Sequence, residues 1–577
     1  MDKIIRRYER YHADGNRALL FITNNNDEPA SAVFDMALLP ALNHFGFPYR
    51  VADVREGSLA SHLQDAAAVI LAHDGVAASL TSGQWEEIAA TAAIGAGVVS
   101  FDGKLWRADE AIQHFFGGSL MQEANIDRIH IPDNAHSIVE MQRPGVVHTL
   151  KKPIGASVPK GADGVVSLAE DDAGRTLVAA IPRTPGDPAS TRRVALYFSP
   201  VIWMKEYFGH VAGLDDLLWR SLIWVARKPF ATMMMPPFAV CRIDDAVGSY
   251  DSFEYVNVLN EYQWIPNIGL FIDDLDEPGA KAIKHLHERG LAEFSAHSFH
   301  ELGEPYPDQI FIQHDGSEYT FEQLKEHFER LDVFYRETGI TPSETVNIHY
   351  DEMGLNSLPF LLKRNQTYMM SLIPFGVHWY ANSYSWEPYP YGHQGFNYGP
   401  MDPDHRFWNA IAHHLGDYKT PNTGMGVGEF LGKCTMFNQE CDGTDIANAI
   451  KRGADAVKRG ISSGFFGTLM THEQRVAAVQ PDDWRSIIEG IHRELAGWTI
   501  WYCSYDEISR YCKDKARTRI VNATYDNNNK QFTLELEGCA EHGLYYYIYR
   551  DEADSVSSEI VPVTPFERRT SCSIPYS

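Results

Sequence analysis

Three short segments of this 577-residue chain carry side chains able to do chemistry together. The first is the acidic pair Asp244-Asp245, which closes the run FAVCRIDD. The second is AHSFHE, with His297, Ser298, His300 and Glu301. The third is LMTH, ending in His472. One Asp with two His is a ligand set for a catalytic zinc-type site that keeps a position open for water. A second Asp beside such a ligand is placed to act as general base, and a separate His as general acid. Taken singly, each segment has a plainer reading. An acidic pair at a strand end is commonly a solvated turn or helix cap, and HxxH in a chain with 24 His is commonly two surface histidines. Their order and their shared place at predicted strand ends argue for chemistry.

That place depends on the surrounding elements. From Phe238 the sequence alternates strand and helix signals. Strands are expected near 238–245, 267–272, 292–295, 346–349, 367–372, 465–471 and 498–503, and helices near 253–262 and 279–289. Such alternation predicts a (β/α) barrel, complete or not, and barrel enzymes set reactive groups at the C-terminal ends of their strands. The stretch 380–395, YANSYSWEPYPYGHQG, reads as a long aromatic loop near a mouth. Trp379, Tyr380 and Trp386 are candidate substrate-binding residues there, offering flat apolar faces, with ordinary packing of an irregular loop as the plainer alternative.

RIDDAVGSYDSF, EFSAHSFHEL and GTLMTHE resemble the first, second and last motifs of the polysaccharide deacetylase superfamily. GWTIWYCSYDEISRYC is similar to its closing strand and helix, so the resemblance covers about residues 236–512. It implies a metal-dependent carbohydrate N-deacetylase that releases acetate from N-acetylated amino sugars in a glycan. It implies Asp244 as general base, Asp245, His297 and His300 as ligands of a divalent metal, zinc by expectation, and His472 as general acid. Two details depart from the pattern. The superfamily spaces the second-motif histidines at i, i+4, whereas here they stand at i, i+3 with Glu301 at i+4; His300 is preferred on ligand type and Glu301 is the substitute. The Arg-Pro-Pro-Tyr motif falls on Asn347-Ile348-His349-Tyr350. The Arg that orients the base is therefore absent, Tyr350 keeps the amide that stabilises an oxyanion, and His349 is a candidate substrate-binding residue, with tuning of a neighbour's pKa or plain packing as the alternatives. LMTHEQ and NIHYDEMGLNSLPFLLKRN are similar to the heparan sulfate glucosaminyl N-deacetylase branch. The altered motifs also admit a non-catalytic carbohydrate-binding protein on a decayed barrel. A hydrolase of another C–N amide bond, such as a cyclic ureide or imide, would use the same machinery.

Ahead of the barrel, residues 18–23, 49–54, 68–73 and 97–101 read as buried strands. Helices are expected at 30–45, kinked or split at Pro40, and at 82–94. A strand-rich stretch over 129–199 and a helix at 215–226 follow. This part, about residues 15–228, resembles the class I glutamine amidotransferase-like fold in the form attached to carbohydrate-active enzymes. No cysteine precedes Cys241 and no GxSxG elbow is present, so a structural or substrate-orienting role is expected. The last sixty or so residues alternate at strand period. The expected organisation is an α/β multidomain chain: an amidotransferase-like parallel-sheet domain over 1–232, a deacetylase-type (β/α) barrel over 233–516 and a small β-domain over 517–577.

Composition bounds the partners. With 50 Lys+Arg against 77 Asp+Glu, the net charge is −27, which disfavours nucleic acid and anionic membranes. A neutral N-acetylated saccharide or glycan suits that balance better than a sulfated one. No apolar run reaches membrane-spanning length, and the charged start MDKIIRRYERYHADGN has no signal-like core. A cytoplasmic location is expected of the chain as written, and a secreted one if it is a processed form. Seven cysteines with no CxxC point to reduced thiols.

Overall fold

The computed structural model describes residues 17–576, apart from 118–119, 134, 141, 143, 162–163, 185–190, 205, 211–212, 249–251, 301–308, 314, 350–352, 370–400, 405, 410–429, 432–444 and 553–554. The chain is a mixed α/β fold in two compact units, one holding residues 235–419 and 425–513, the other 8–234 and 514–577.

In the second of these units, five strands run parallel in the order Tyr49–Asp53, Leu19–Thr23, Ala68–Leu71, Gly97–Ser100, Arg193–Leu196. The sheet continues antiparallel through Thr176–Ile181, Val166–Glu170, Met121–His130 and Val147–Pro159 to nine strands. The inner parallel strands are buried at every residue, which is why LLFIT, AVIL and GVVS are continuous apolar runs rather than alternating ones. The expected helix over 30–45 is divided into Glu28–Val33, a π turn Phe34–Leu38, and Leu39–Phe45. Pro40 thereby falls in a first turn, where its missing N–H removes no intrahelical bond.

The terminal β-segment belongs to the same unit. Thr518–Asp526, Gln531–Ala540 and Phe566–Pro575 form one antiparallel sheet, and Leu544–Glu552 pairs with both Ser555–Val563 and Phe230–Thr232. Asp551 is the charge that this packing turns on. Its Oδ1 accepts from buried Arg192 Nη1 at 2.7 Å and lies 3.8 Å from buried Lys228 Nζ. Burial lowers the Lys228 ammonium to about 7, with Asp551 opposing that shift.

Among its described residues the other unit carries eight strands: β1 (Phe238–Ala246), β2 (Pro266–Phe271), β3 (Glu293–Ser298), β4 (Thr345–Val346), β5 (Tyr368–Met369), β6 (Trp408–Asn409), β7 (Gly467–His472) and β8 (Trp501–Tyr502). Strands β3-β2-β1-β7 form a parallel sheet, with β8 beside the start of β1, and β4-β5-β6 form a second parallel sheet. Backbone and side-chain bonds tie β4 to β3: Ser343 N–H donates to Phe294 O at 2.8 Å, and Asn347 N–H to Ser295 Oγ at 3.0 Å. The intervening helices are capped by local chemistry. Asp276 accepts from Gly279 N–H ahead of Glu277–Glu288, and Thr320 with Gln323 forms a capping box ahead of Phe321–Thr338. Their apolar faces close a core that includes Ile243, Ile268, Phe294, Leu331, Leu469 and Ile488. Because these strands run parallel within their sheets, β1, β3 and β7 finish on the same side.

Replacing Asp551 with Ala strands the buried Arg192 cation and lets the Lys228 ammonium give up its proton. The expected cost is about 3 kcal/mol in urea unfolding of the full chain, the low end for breaking a buried pair because backbone carbonyls still bind Arg192 and Lys228. A loss within about 0.5 kcal/mol, the range of an ordinary surface change, would show that Asp551 does not organise this packing.

Candidate active site

Alternation along β1 puts Arg242 and Asp244 on one face. Arg242 Nε donates to Asp244 Oδ1 at 2.7 Å, and Asn347 Nδ2 donates to the same oxygen at 2.9 Å. Burial by itself would raise the Asp244 pKa. The charge of Arg242, with those of His297 and His472, outweighs it and holds the carboxyl below its usual range.

Asp245 breaks the alternation. Its φ is +53°, and the pairing with β2 takes three steps on β1 against two on β2 between Ile243 and Ala246. A regular strand would point Asp245 away from Asp244. The bulge and the left-handed backbone, which Asp tolerates better than most residues, bring both carboxylates to one place. The turn that follows is fixed by buried Glu473. Its Oε2 accepts from Val247 N–H at 2.7 Å and Gly248 N–H at 2.9 Å, and its Oε1 from Tyr255 OH at 3.0 Å.

Two imidazoles face Asp245. His297 Nε2, near the end of β3, lies 3.1 Å from Asp245 Oδ1, and His349 Nε2, just after β4, lies 3.6 Å from that oxygen. The rings are 4.8 Å apart, and both meet the Phe271 ring at a steep angle. One ligand atom from each of Asp245, His297 and His349 falls within 4.8 Å of the others. Asp245 Oδ1 is buried and has no well-formed hydrogen bond among the described residues, so an orphaned carboxylate oxygen sits against two ring nitrogens. These residues fit a divalent metal.

The outer contacts support that fit. His297 Nδ1 lies 3.0 Å from Asn347 O; a carbonyl only accepts, so Nδ1 carries the proton and Nε2 is the atom left to face a metal. His349 Nδ1 lies 3.1 Å from the buried Gln309 side-chain amide. Half a turn of that amide presents its oxygen to an Nδ1 proton, the arrangement that ligation through Nε2 requires. Burial lowers His349 to about 3 against the pull of Asp245, so its imidazole is neutral at ordinary pH. Beneath the rings β2 passes at Gly269, where a Cβ would come within 2.7 Å of His297 Nδ1 and 3.1 Å of Asn347 Cγ. Only glycine leaves room for that approach.

His472 closes the group. It ends β7 directly beside Asp244 in the parallel register, and its Nε2 lies 3.9 Å from Asp245 Oδ2. Gln474 Nε2 donates to Asp245 Oδ2 at 3.2 Å. Of the residues expected from sequence, Asp244, Asp245, His297 and His472 are brought together, and His349 joins them at Asp245.

His300 lies elsewhere. β3 ends at Ser298, and the chain then turns so that His300 Nδ1 lies 2.9 Å from Asp274 Oδ1 and its Nε2 3.4 Å from Asp273 Oδ2. Both acids follow β2, and Arg330, also paired with Asp273, lies over the Phe299 ring. The acid pair captures the ring, and the position beside Asp245 and His297 goes to His349. Glu301, Tyr350, Trp379, Tyr380 and Trp386 lie outside the described residues. Sequence reasoning passed over Arg242, Asn347, Gln309 and Glu473. Arg242 alone had a local signal, its i, i+2 spacing to Asp244 on a strand.

No protein-family model matches the sequence, and no curated protein sequence matches it. Among solved structures the chain is similar to a Mycobacterium smegmatis protein described as a polysaccharide deacetylase, at 11% identity and TM-score 0.32, over 48% of this chain and 89% of that one. It is similar to the chitin deacetylase of the fungal pathogen Colletotrichum lindemuthianum at 7% identity and TM-score 0.26, over 46% and 86% of the two chains. It is similar to the Bc1960 peptidoglycan N-acetylglucosamine deacetylase at 9% identity and TM-score 0.25, over 47% and 87%.

The depressed His349 pKa has a consequence for the metal-free protein. Between pH 6.5 and 3 the unfolded imidazole binds a proton that the folded one refuses, so stability falls as pH falls through that window. The His349 contribution is about 1.4 kcal/mol per pH unit. Glu293, pushed up to about 8 by burial and Asp506, titrates with the opposite sign over an overlapping range. The difference between wild type and His349→Asn, measured by urea unfolding in chelator from pH 6.5 to 5, therefore isolates the histidine. Parallel curves would mean that His349 is not held neutral.

Proposed function

We propose that this chain is a metal-dependent carbohydrate N-deacetylase, with Asp245, His297 and His349 as the metal ligands. The observation that carries the reading is the convergence of two carboxylates and three imidazoles from the ends of separate parallel strands, with one carboxylate oxygen left orphaned between two ring nitrogens. Two nitrogens and one oxygen make a donor set for zinc with a position left open. A divalent metal bound there supplies Lewis acidity toward an amide carbonyl and toward water.

The residues do the rest. Asp244 is held ionised, and both of its donors engage Oδ1. Oδ2 has no hydrogen-bond donor among the described residues, so its lone pairs take the proton from water as it attacks the acetamide carbon. His472, beside Asp244 on β7, gives a proton to the leaving nitrogen as the C–N bond breaks. The products are acetate and a free amine. The Tyr350 amide follows His349 directly and is the proposed donor to the oxyanion. Trp379, Tyr380 and Trp386 are the proposed sugar platform. The acidic balance of the chain favours a neutral N-acetylated glycan, whose product is a cation.

The ligand set separates this reading from the one written in the motifs. Asp245→Ala and His349→Ala should each lose stoichiometric metal and lower acetate release from N-acetylated chito-oligosaccharides more than about 100-fold, beyond the cost of losing an outer partner. His300→Ala should keep both within about twofold, as a surface change does. Metal retained by His349→Ala and lost by His300→Ala would return the third ligand to the second motif. Saccharide binding by metal-loaded wild type without acetate release would make the protein a binding module.

A further inference from the structure

Asn347 touches the site through three different groups. Its side-chain Nδ2 donates to Asp244 Oδ1 at 2.9 Å, its carbonyl accepts from His297 Nδ1 at 3.0 Å, and its N–H donates to Ser295 Oγ at 3.0 Å. One residue after β4 therefore fixes a carboxylate on β1 and an imidazole on β3. Arg242 meets the same Asp244 oxygen from within β1, at 2.7 Å. Arg242, Asp244, His297 and Asn347 are all buried, so none of these groups has bulk water as an alternative partner.

We infer that Arg242 and Asn347 form a divided positioning device for Asp244, and that Asn347 locks the base to the His297 ligand in one geometry. The inference rests on the deacetylase reading and adds to it. A base must present one defined oxygen to the reacting proton, and misplacement by a fraction of an ångström weakens proton transfer steeply. Both donors bind Oδ1, from two directions. Together they select one carboxylate rotamer and leave Oδ2 as the oxygen that takes the proton. An ion pair kept only for stability has no need of the second donor, since a buried pair adds little net stability over apolar packing. The position where the related motif carries Arg holds Asn347, and the guanidinium arrives instead from two residues before Asp244. The positive charge and the hydrogen bond that one Arg would supply are divided between two chain segments.

Two substitutions test this without stranding a charge. Asn347→Ala removes the side-chain arm and keeps the backbone contacts to His297 and Ser295. Arg242→Lys keeps the charge and loses the planar Nε donor. Each should lower kcat for acetate release about tenfold or more, a fraction of what a general base contributes, while KM and metal affinity stay within about twofold. In an Asp244→Asn background, neither should change the residual rate by more than about twofold, because the device acts through that carboxylate. Wild-type kcat in both folded variants, or losses that persist undiminished in the Asp244→Asn background, would overturn the positioning role and leave the deacetylase reading standing. Loss of metal affinity equal to the loss of kcat would also overturn it, since the two residues would then be supporting the ligands alone. A metal-loaded wild type that releases no acetate overturns the deacetylase reading, and this role with it.

Discussion

The backbone at Asp245 is the constraint on which the site rests. Neighbouring residues of a strand point to opposite faces, so two adjacent acids at a strand end ordinarily cannot serve one place. Here a left-handed φ and an extra residue in β1 against β2 cancel the alternation for a single step. That conformation costs about 1–2 kcal/mol for an ordinary residue and less for Asp, and it persists because its surroundings hold it. Glu473 does much of the holding, since its carboxylate takes the two amides just beyond the bulge and the Tyr255 hydroxyl. Glu473 follows His472 directly, so the end of β7 delivers one imidazole and also fixes the turn that aims Asp245.

What the bulge aims at is assembled by parallel pairing. β3, β1 and β7 end together, and β4 is tied to β3 through Ser295 and Phe294. Groups 228 or fewer positions apart in the chain thereby come within a few ångströms with little flexible backbone between them and the core. The floor is apolar and rigid: Phe271 packs against both rings, and Gly269 admits them where any side chain would push His297 aside. Such a site needs little rearrangement to act, because the cost of ordering its side chains is met on folding.

The sequence made part of this legible. Asp244, Asp245, His297 and His472 stand at strand ends, and strand ends can be read from apolar runs. His349 was visible only as an oddity, because its partnership with His297 spans 52 positions and depends on β4 lying against β3, which no local spacing encodes. His300 misled for a related reason. An i, i+3 spacing promises a shared face only if the backbone is helical, and here it follows a strand that ends at Ser298. The acids that claim its ring come from the end of β2, which the sequence marks as a turn and nothing more. In the other unit the apolar runs fixed the buried parallel strands, whereas the sharing of a sheet between Phe230–Thr232 and Leu544–Glu552, more than 300 positions apart, had no local sign.

The charges inside the site bear on what it holds. Asp244 has its own counter-charge in Arg242, so that pair is neutral. Asp245 has no such partner among the described residues. His349 is neutral, and His297, with its Nδ1 proton given to Asn347, turns either a lone pair or a second proton toward Asp245 Oδ1. With the lone pair, and with His349 in the tautomer that ligation requires, three acceptor atoms point at one another across 3.1 and 3.6 Å, an arrangement that no described residue relieves. With the proton, one pair is relieved and the His349 lone pair still meets the carboxylate in the ligating tautomer. A divalent cation satisfies all three acceptors at once and supplies the missing positive charge. The tautomer set by Asn347, the neutrality that burial imposes on His349 and the orphaned oxygen on Asp245 thus bear on one point: with the Nε2 lone pairs of both rings turned inward, a divalent cation would satisfy all three together.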